Sequence, residues 1–105
     1  MKRINSMPFR PNENMSGYFI DSWNTTWSLL KGKYHSYNDI PACSMTDGYK
    51  AWYFKGMVHR NNGPARIRIK SDLTEEFWYY GFKAKSKAEW LDSQWRKRIE
   101  IKVFL

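Results

Sequence analysis

The chain has 105 residues, a formal net charge of +8 and an aromatic share of 18%, which suit one domain with one core, since two cores in so short a chain would each be too small to hold together. Six Trp, seven Tyr and six Phe supply large side chains for that core, while a mean hydropathy of −0.77 and the cationic excess point to acidic partners. Cys43, the single cysteine, excludes an intrachain disulfide and suits a reducing compartment; no apolar stretch is long enough to span a membrane, and none follows the basic N-terminus as in a secretory leader.

Residues 1–16 read as a flexible basic arm, because Pro8 and Pro11 interrupt it and Asn12-Glu13-Asn14 is polar without periodicity. From Tyr18 onward, aromatic clusters alternate with Gly, Asn, Asp and Pro at short intervals, the punctuation of a β-meander. Leu29-Leu30-Lys31-Gly32-Lys33-Tyr34-His35 aligns with Tyr53-Phe54-Lys55-Gly56-Met57-Val58-His59, 24 residues later. The alignment continues through Asn38-Asp39-Ile40-Pro41-Ala42 and Asn61-Asn62-Gly63-Pro64-Ala65. A truncated third copy, Phe77-Trp78-Tyr79-Tyr80-Gly81, follows. Such periods belong to stacked units that cannot bury a face alone. Ala65, Ile67 and Ile69 alternate with Arg66, Arg68 and Lys70, which predicts a strand with one apolar and one cationic face.

After Gly81 the pattern turns helical. Ser86-Lys87-Ala88-Glu89 fits a capping box, and Ala88, Leu91 and Trp95 share a side, so a helix is expected over about 87–97. Ile99, Ile101, Val103 and Leu105 then alternate with Glu100, Lys102 and Phe104, which reads as a terminal strand. The expected fold is therefore α+β and mainly β: residues 17–105 form a single antiparallel meander of degenerate repeats of about 24 residues, with a short C-terminal helix and a terminal strand.

Preceded by Trp52-Tyr53, the string Gly56-x-x-His59-Arg60-x-x-Gly63-Pro64-Ala65 resembles the aromatic-Gly and His-Arg-x-x-Gly-Pro-Ala repeat of tailed-phage, large-virus and some bacterial proteins, and it is loosely similar to MORN-type hairpin repeats. In the first copy Ser36 stands where Arg is usual, and the third lacks His and Gly-Pro-Ala. The resemblance implies hairpin architecture and a phage-encoded accessory protein working in the host cytoplasm, without assigning it an activity.

His35 and His59 occupy one repeat position, which fits a hydrogen bond that stabilises each turn; with one Cys, two histidines fall short of a zinc site. Cys43 reads as a small buried hydrophobe. Asp72, Glu75 and Glu76 read as solvated charge beside a turn. No phosphate loop or nucleophile motif is present, so neither a catalytic site nor a cofactor is expected. The candidate binding surface comprises Arg60, Arg66, Arg68, Lys70, Lys83, Lys85, Arg96 and Arg98, with Tyr53 and Tyr79 interleaved. Two partner classes follow: a host protein, the leading reading, or a nucleic acid whose bases stack on the tyrosines. A membrane is not expected as partner.

Overall fold

Gly32, Gly56 and Gly81 each follow a residue that is itself in the left-handed region. The φ angles are 50° and 80° at Lys31-Gly32, 47° and 89° at Lys55-Gly56, and 44° and 87° at Tyr80-Gly81. Positive φ at both central residues defines the two-residue primed turn, whose twist matches that of a β-hairpin. A computed structural model, which describes residues 1–5, 9–69 and 72–105, thus places the three sequence copies in one backbone conformation.

In chain order the strands are β1 (Lys2–Arg3), β2 (Gly17–Ile20), β3 (Thr26–Leu30), β4 (Lys33–Tyr34), β5 (Cys43–Ser44), β6 (Lys50–Ala51), β7 (Tyr53–Phe54), β8 (Met57–Val58), β9 (Arg66–Arg68), β10 (Thr74–Glu76), β11 (Trp78–Tyr79) and β12 (Phe82–Lys83). Helices α1 (Lys87–Leu91) and α2 (Ser93–Phe104) follow. Among the described residues, eight strands form one sheet in the order β1-β2-β3-β5-β6-β9-β10, with β4 also on β3, while β7-β8 and β11-β12 are separate hairpins. The fold is α+β and mainly β, and every pairing is antiparallel except β1 with β2.

Equivalent backbone bonds tie the repeats together. Gly56 N–H donates to the Tyr34 carbonyl at 2.7 Å and Gly81 N–H to the Val58 carbonyl at 2.8 Å. His35 Nδ1 accepts from Lys55 N–H at 3.1 Å, and His59 Nδ1 from Tyr80 N–H at 2.9 Å. The N–H groups of Ala42 and Ala65 donate to the Ala51 and Glu76 carbonyls, and their own carbonyls accept from Ser28 and Trp52. Both alanines are fully buried, so the Pro-Ala step is where a strand of one unit is threaded between two others.

Within residues 1–16, expected as a flexible basic arm, several described residues make contacts with the sheet. β1 pairs with Phe19 and Ile20, and the Phe9 ring lies 5.3 Å from that of Trp27. Met15 and Ser16 imitate a repeat: Gly32 N–H donates to the Met15 carbonyl at 2.8 Å and Lys31 N–H to Ser16 Oγ at 2.9 Å, the bonds that Tyr34-His35 and Val58-His59 make to later units. The physical reason is the first hairpin's open edge, whose N–H groups need acceptors.

The expected terminal strand is instead the second half of a helix. Asp92 ends α1 and caps α2, its side chain accepting from Gln94 N–H at 2.9 Å. Ile99 is buried, with Trp95 and Val103 partly buried beside it, a four-residue spacing that sets one helical stripe. Ile101 and Leu105, expected inward with them, are exposed. The capping box is as read from sequence: Glu89 N–H donates to Ser86 Oγ at 3.1 Å.

The core holds Phe19, Leu29, Trp52, Val58, Tyr79, Trp90 and Ile99 among others, with Asp21, Ser28 and His59 as buried polar residues. The molecule is a slab of 44 × 37 × 21 Å. Half-buried aromatics run along it: Trp27, Tyr34 and Tyr53 in one chain of ring contacts at 5.3 and 5.2 Å, and Tyr37, His35, Phe54 and Tyr80 in another at 4.8, 5.4 and 5.4 Å.

Candidate interaction surface

Among the described residues, several members of the expected basic and aromatic surface are engaged within the fold. Arg60 lies 3.8 Å over the Trp52 ring and forks onto Asp39 through Nε to Oδ1 at 2.9 Å and through its second nitrogen to Oδ2 at 3.1 Å. It also donates to the Pro64 carbonyl at 3.1 Å. That planar fork matches the guanidinium's geometry and makes Arg60 a clasp between the first two copies; the arginine holds the Asp39 carboxyl below its ordinary range, against the opposing pull of burial.

Arg66 is half-buried, 5.3 Å from the Trp78 ring and 3.8 Å from Glu76. Its neighbour Arg68 is exposed and lies 5.3 Å from the Tyr49 ring; Lys70 lies outside the described residues. The expected division into an apolar and a cationic face fails at Ile69, which is 53% exposed, because β9 ends at Arg68 and pairing no longer holds the chain. Ile69 instead lies against Gly48, beside a cleft of about 770 Å³ that also includes Tyr49, Asp47 and Asp72. Glu76, expected as solvated, accepts from Trp78 Nε1 at 3.0 Å and pairs with Lys83 at 3.6 Å.

Tyr79 is buried and its hydroxyl donates to Glu100 at 2.9 Å; burial and that carboxylate push its pKa up to about 12. It is a core residue with no face for a base. Tyr53 is half-buried against Tyr34. Arg96 is also drawn inward: its Nε donates to the Trp90 carbonyl, and its guanidinium lies 4.8 Å and 4.5 Å from the Tyr79 and Trp90 rings. Lys83, Lys85 and Arg98 are exposed. Of the ten candidates, Arg60, Arg66, Tyr79 and Arg96 are thus structural.

Both histidines serve the turns as hydrogen-bond acceptors. Burial, then the nearby Arg96 cation, lowers the His59 pKa to about 4, so at neutral pH its ring is an uncharged acceptor for Tyr80 N–H. Burial and then Lys55 shift His35 in the same direction. Cys43 is buried, and burial, with Asp21 and Asp47 behind it, raises its thiol to about 11, which disfavours the thiolate needed for attack or metal binding. Among the described residues no group of three or more His, Cys, Asp or Glu side chains is placed to hold a metal, and no helix is long and apolar enough to cross a membrane.

At the C-terminal end, several of the expected cations stand beside exposed apolar side chains that the sequence reading did not include in the surface. Residues 81–105 carry seven cations and three acids, half of the chain's net charge. The acids are occupied: Glu89 accepts from Lys85 N–H, Asp92 caps α2 and Glu100 accepts from Tyr79. Among the described residues Lys85, Lys87, Lys97, Arg98 and Lys102 enter no ion pair. Beside them Phe82, Leu91, Ile101, Phe104 and Leu105 are exposed. Reading 99–105 as a strand hid this cluster; the signal that reveals it is Asp92 before Ser93, a helix N-cap. Comparison with protein families, with curated proteins and with solved structures finds no match to this chain.

Proposed function

We propose that this protein is a small accessory binding module of the phage type, which acts in the host cytoplasm by engaging a host protein and inhibiting or redirecting it. The observation that carries this reading is the conjunction, within the C-terminal segment, of large exposed apolar side chains, among them Phe104 at 54% and Ile101 at 52%, with cations that enter no ion pair among the described residues. Clustered apolar side chains at the surface mark interaction sites, and aromatic residues with arginine are the usual anchors of protein interfaces. The internal use of Tyr79, Arg60 and Arg66 favours a protein over a nucleic acid, because it withdraws stacking and phosphate-binding groups from the expected surface.

The test is capture from bacterial lysate with the folded protein as bait, with and without nuclease. A protein partner retained after nuclease, and then bound directly as a purified component, is the expected result. Loss of all partners on nuclease treatment, with direct oligonucleotide binding that weakens steeply as salt rises, overturns it in favour of the nucleic-acid reading.

A further inference from the structure

Helix α2 divides its residues sharply. Trp95, Ile99 and Val103 face the last hairpin and α1, so the helix is anchored along one side. On the other, Ile101 is exposed, and Lys97, Arg98, Phe104 and Leu105 stand four, three, three and four residues from it, the spacings that place side chains together on a helix. All four are exposed. The edges of this stripe are fixed: the Phe104 ring contacts that of Tyr80 at 4.9 Å in an edge-on arrangement, and Lys102 Nζ lies 5.5 Å from the exposed Phe82 ring.

We infer that the outer side of α2 is a docking seam for an acidic amphipathic helix of a partner protein, an inference that rests on the protein-binding reading above and names its site. Charge complementarity selects the occupant. Lys97, Arg98 and Lys102 flank the apolar residues and enter no ion pair among the described residues, and the neighbouring carboxylate Glu100 is engaged with Tyr79. A partner with carboxylates beside an apolar stripe satisfies both features, with its leucine-like side chains against Ile101, Phe104 and Leu105. Geometry selects a helix over a lipid surface: an interfacial helix lies with a broad apolar face in the bilayer, whereas α2 already spends its broad face on Trp95, Ile99 and Val103 and keeps a narrow seam of the kind helix pairs use.

The test uses the full chain and a fluorescent synthetic peptide with leucine along one helical side and glutamate on the other. Its comparators are the same residues scrambled, poly-glutamate, a single-stranded oligonucleotide and phosphatidylserine vesicles. The amphipathic peptide is expected to bind, and the combined Ile101→Ala and Phe104→Ala variant to weaken it about tenfold or more. Lys97→Glu with Arg98→Glu is expected to do likewise, whereas Trp23→Ala, exposed in the β2–β3 turn, leaves affinity unchanged. Circular dichroism and a melting curve establish that each variant is folded. Equal binding of the scrambled peptide or poly-glutamate, unchanged affinity in both α2 variants, or tighter binding to the oligonucleotide or the vesicles overturns the seam. A lysate partner retained by the folded α2 variants also overturns it, while leaving the protein-binding reading standing.

Discussion

His59 stays uncharged because burial, and then the nearby Arg96 cation, disfavour its protonated form, which leaves Nδ1 free to accept from Tyr80 N–H. Its folded pKa of about 4 lies below the ordinary 6.5, so between those values the unfolded chain binds a proton that the folded one refuses. Stability from this group is complete above about pH 6.5 and falls as pH drops toward 4, by roughly 3 kcal/mol in all. In His59→Leu, Tyr80 N–H loses its partner, at a cost of about 1–3 kcal/mol at neutral pH. Urea titrations across the acid range should show variant and wild type converging as pH falls; parallel curves would mean that His59 titrates normally. Glycine makes a second residue-scale contrast. A methyl group on Gly32 would meet the Asn12 carbonyl oxygen at 2.4 Å, whereas on Gly56 it would meet the flexible Lys33 side chain at 3.6 Å. Both positions have positive φ, so each alanine costs about 1 kcal/mol in backbone strain, but Gly32→Ala must also move residues 12–13 and should lower the melting temperature further. Trp52 is buried under Arg60 and donates Nε1–H to the Asp39 carbonyl at 2.9 Å. Trp52→Ala should therefore cost about 3–5 kcal/mol in an unfolding curve.

At the scale of elements, the three hairpins turn on residue pairs that carry one avoidable cost. Lys31 and Lys55 hold positive φ, a conformation that asparagine tolerates better. The double change Lys31→Asn with Lys55→Asn should stabilise the protein by up to about 1 kcal/mol, read as a higher denaturant midpoint with unchanged slope. These turns were legible in the sequence because Gly32, Gly56 and Gly81 recur with like neighbours, as was the cap at Ser86. The last strand was misread because Ile99, Ile101, Val103 and Leu105 fit a period of two over a short window, while Trp95, Ile99 and Val103 fit a period of four only when the window reaches back past Asp92. The surface was harder still. Alternation identifies Arg66 as outward from Ala65, but it cannot foresee that Trp78 and Glu76 lie across the strand to receive it. Nor does it reveal that Arg60 reaches back to Asp39, 21 residues earlier.

For the whole molecule, the match between Met15-Ser16 and the two later Tyr34-His35 and Val58-His59 steps has a bearing on how large such a protein can be. Each hairpin offers the next unit a carbonyl and a side-chain acceptor at one spacing, and α1 and α2 pack at the far end through Tyr79 and Trp90. Removing residues 1–16 should leave the first hairpin's donors bare and make the folded remainder self-associate with rising concentration, seen by light scattering. The same logic runs in the opposite direction. In an array where a unit recognises only its neighbour, duplicating residues 36–59 in tandem should insert another hairpin without disturbing either end, lengthening the slab by about two strand widths, near 10 Å. Scattering from such a duplicated chain would show an elongated, cooperatively melting particle, and the protein's span becomes a quantity that gene duplication sets in steps of one unit.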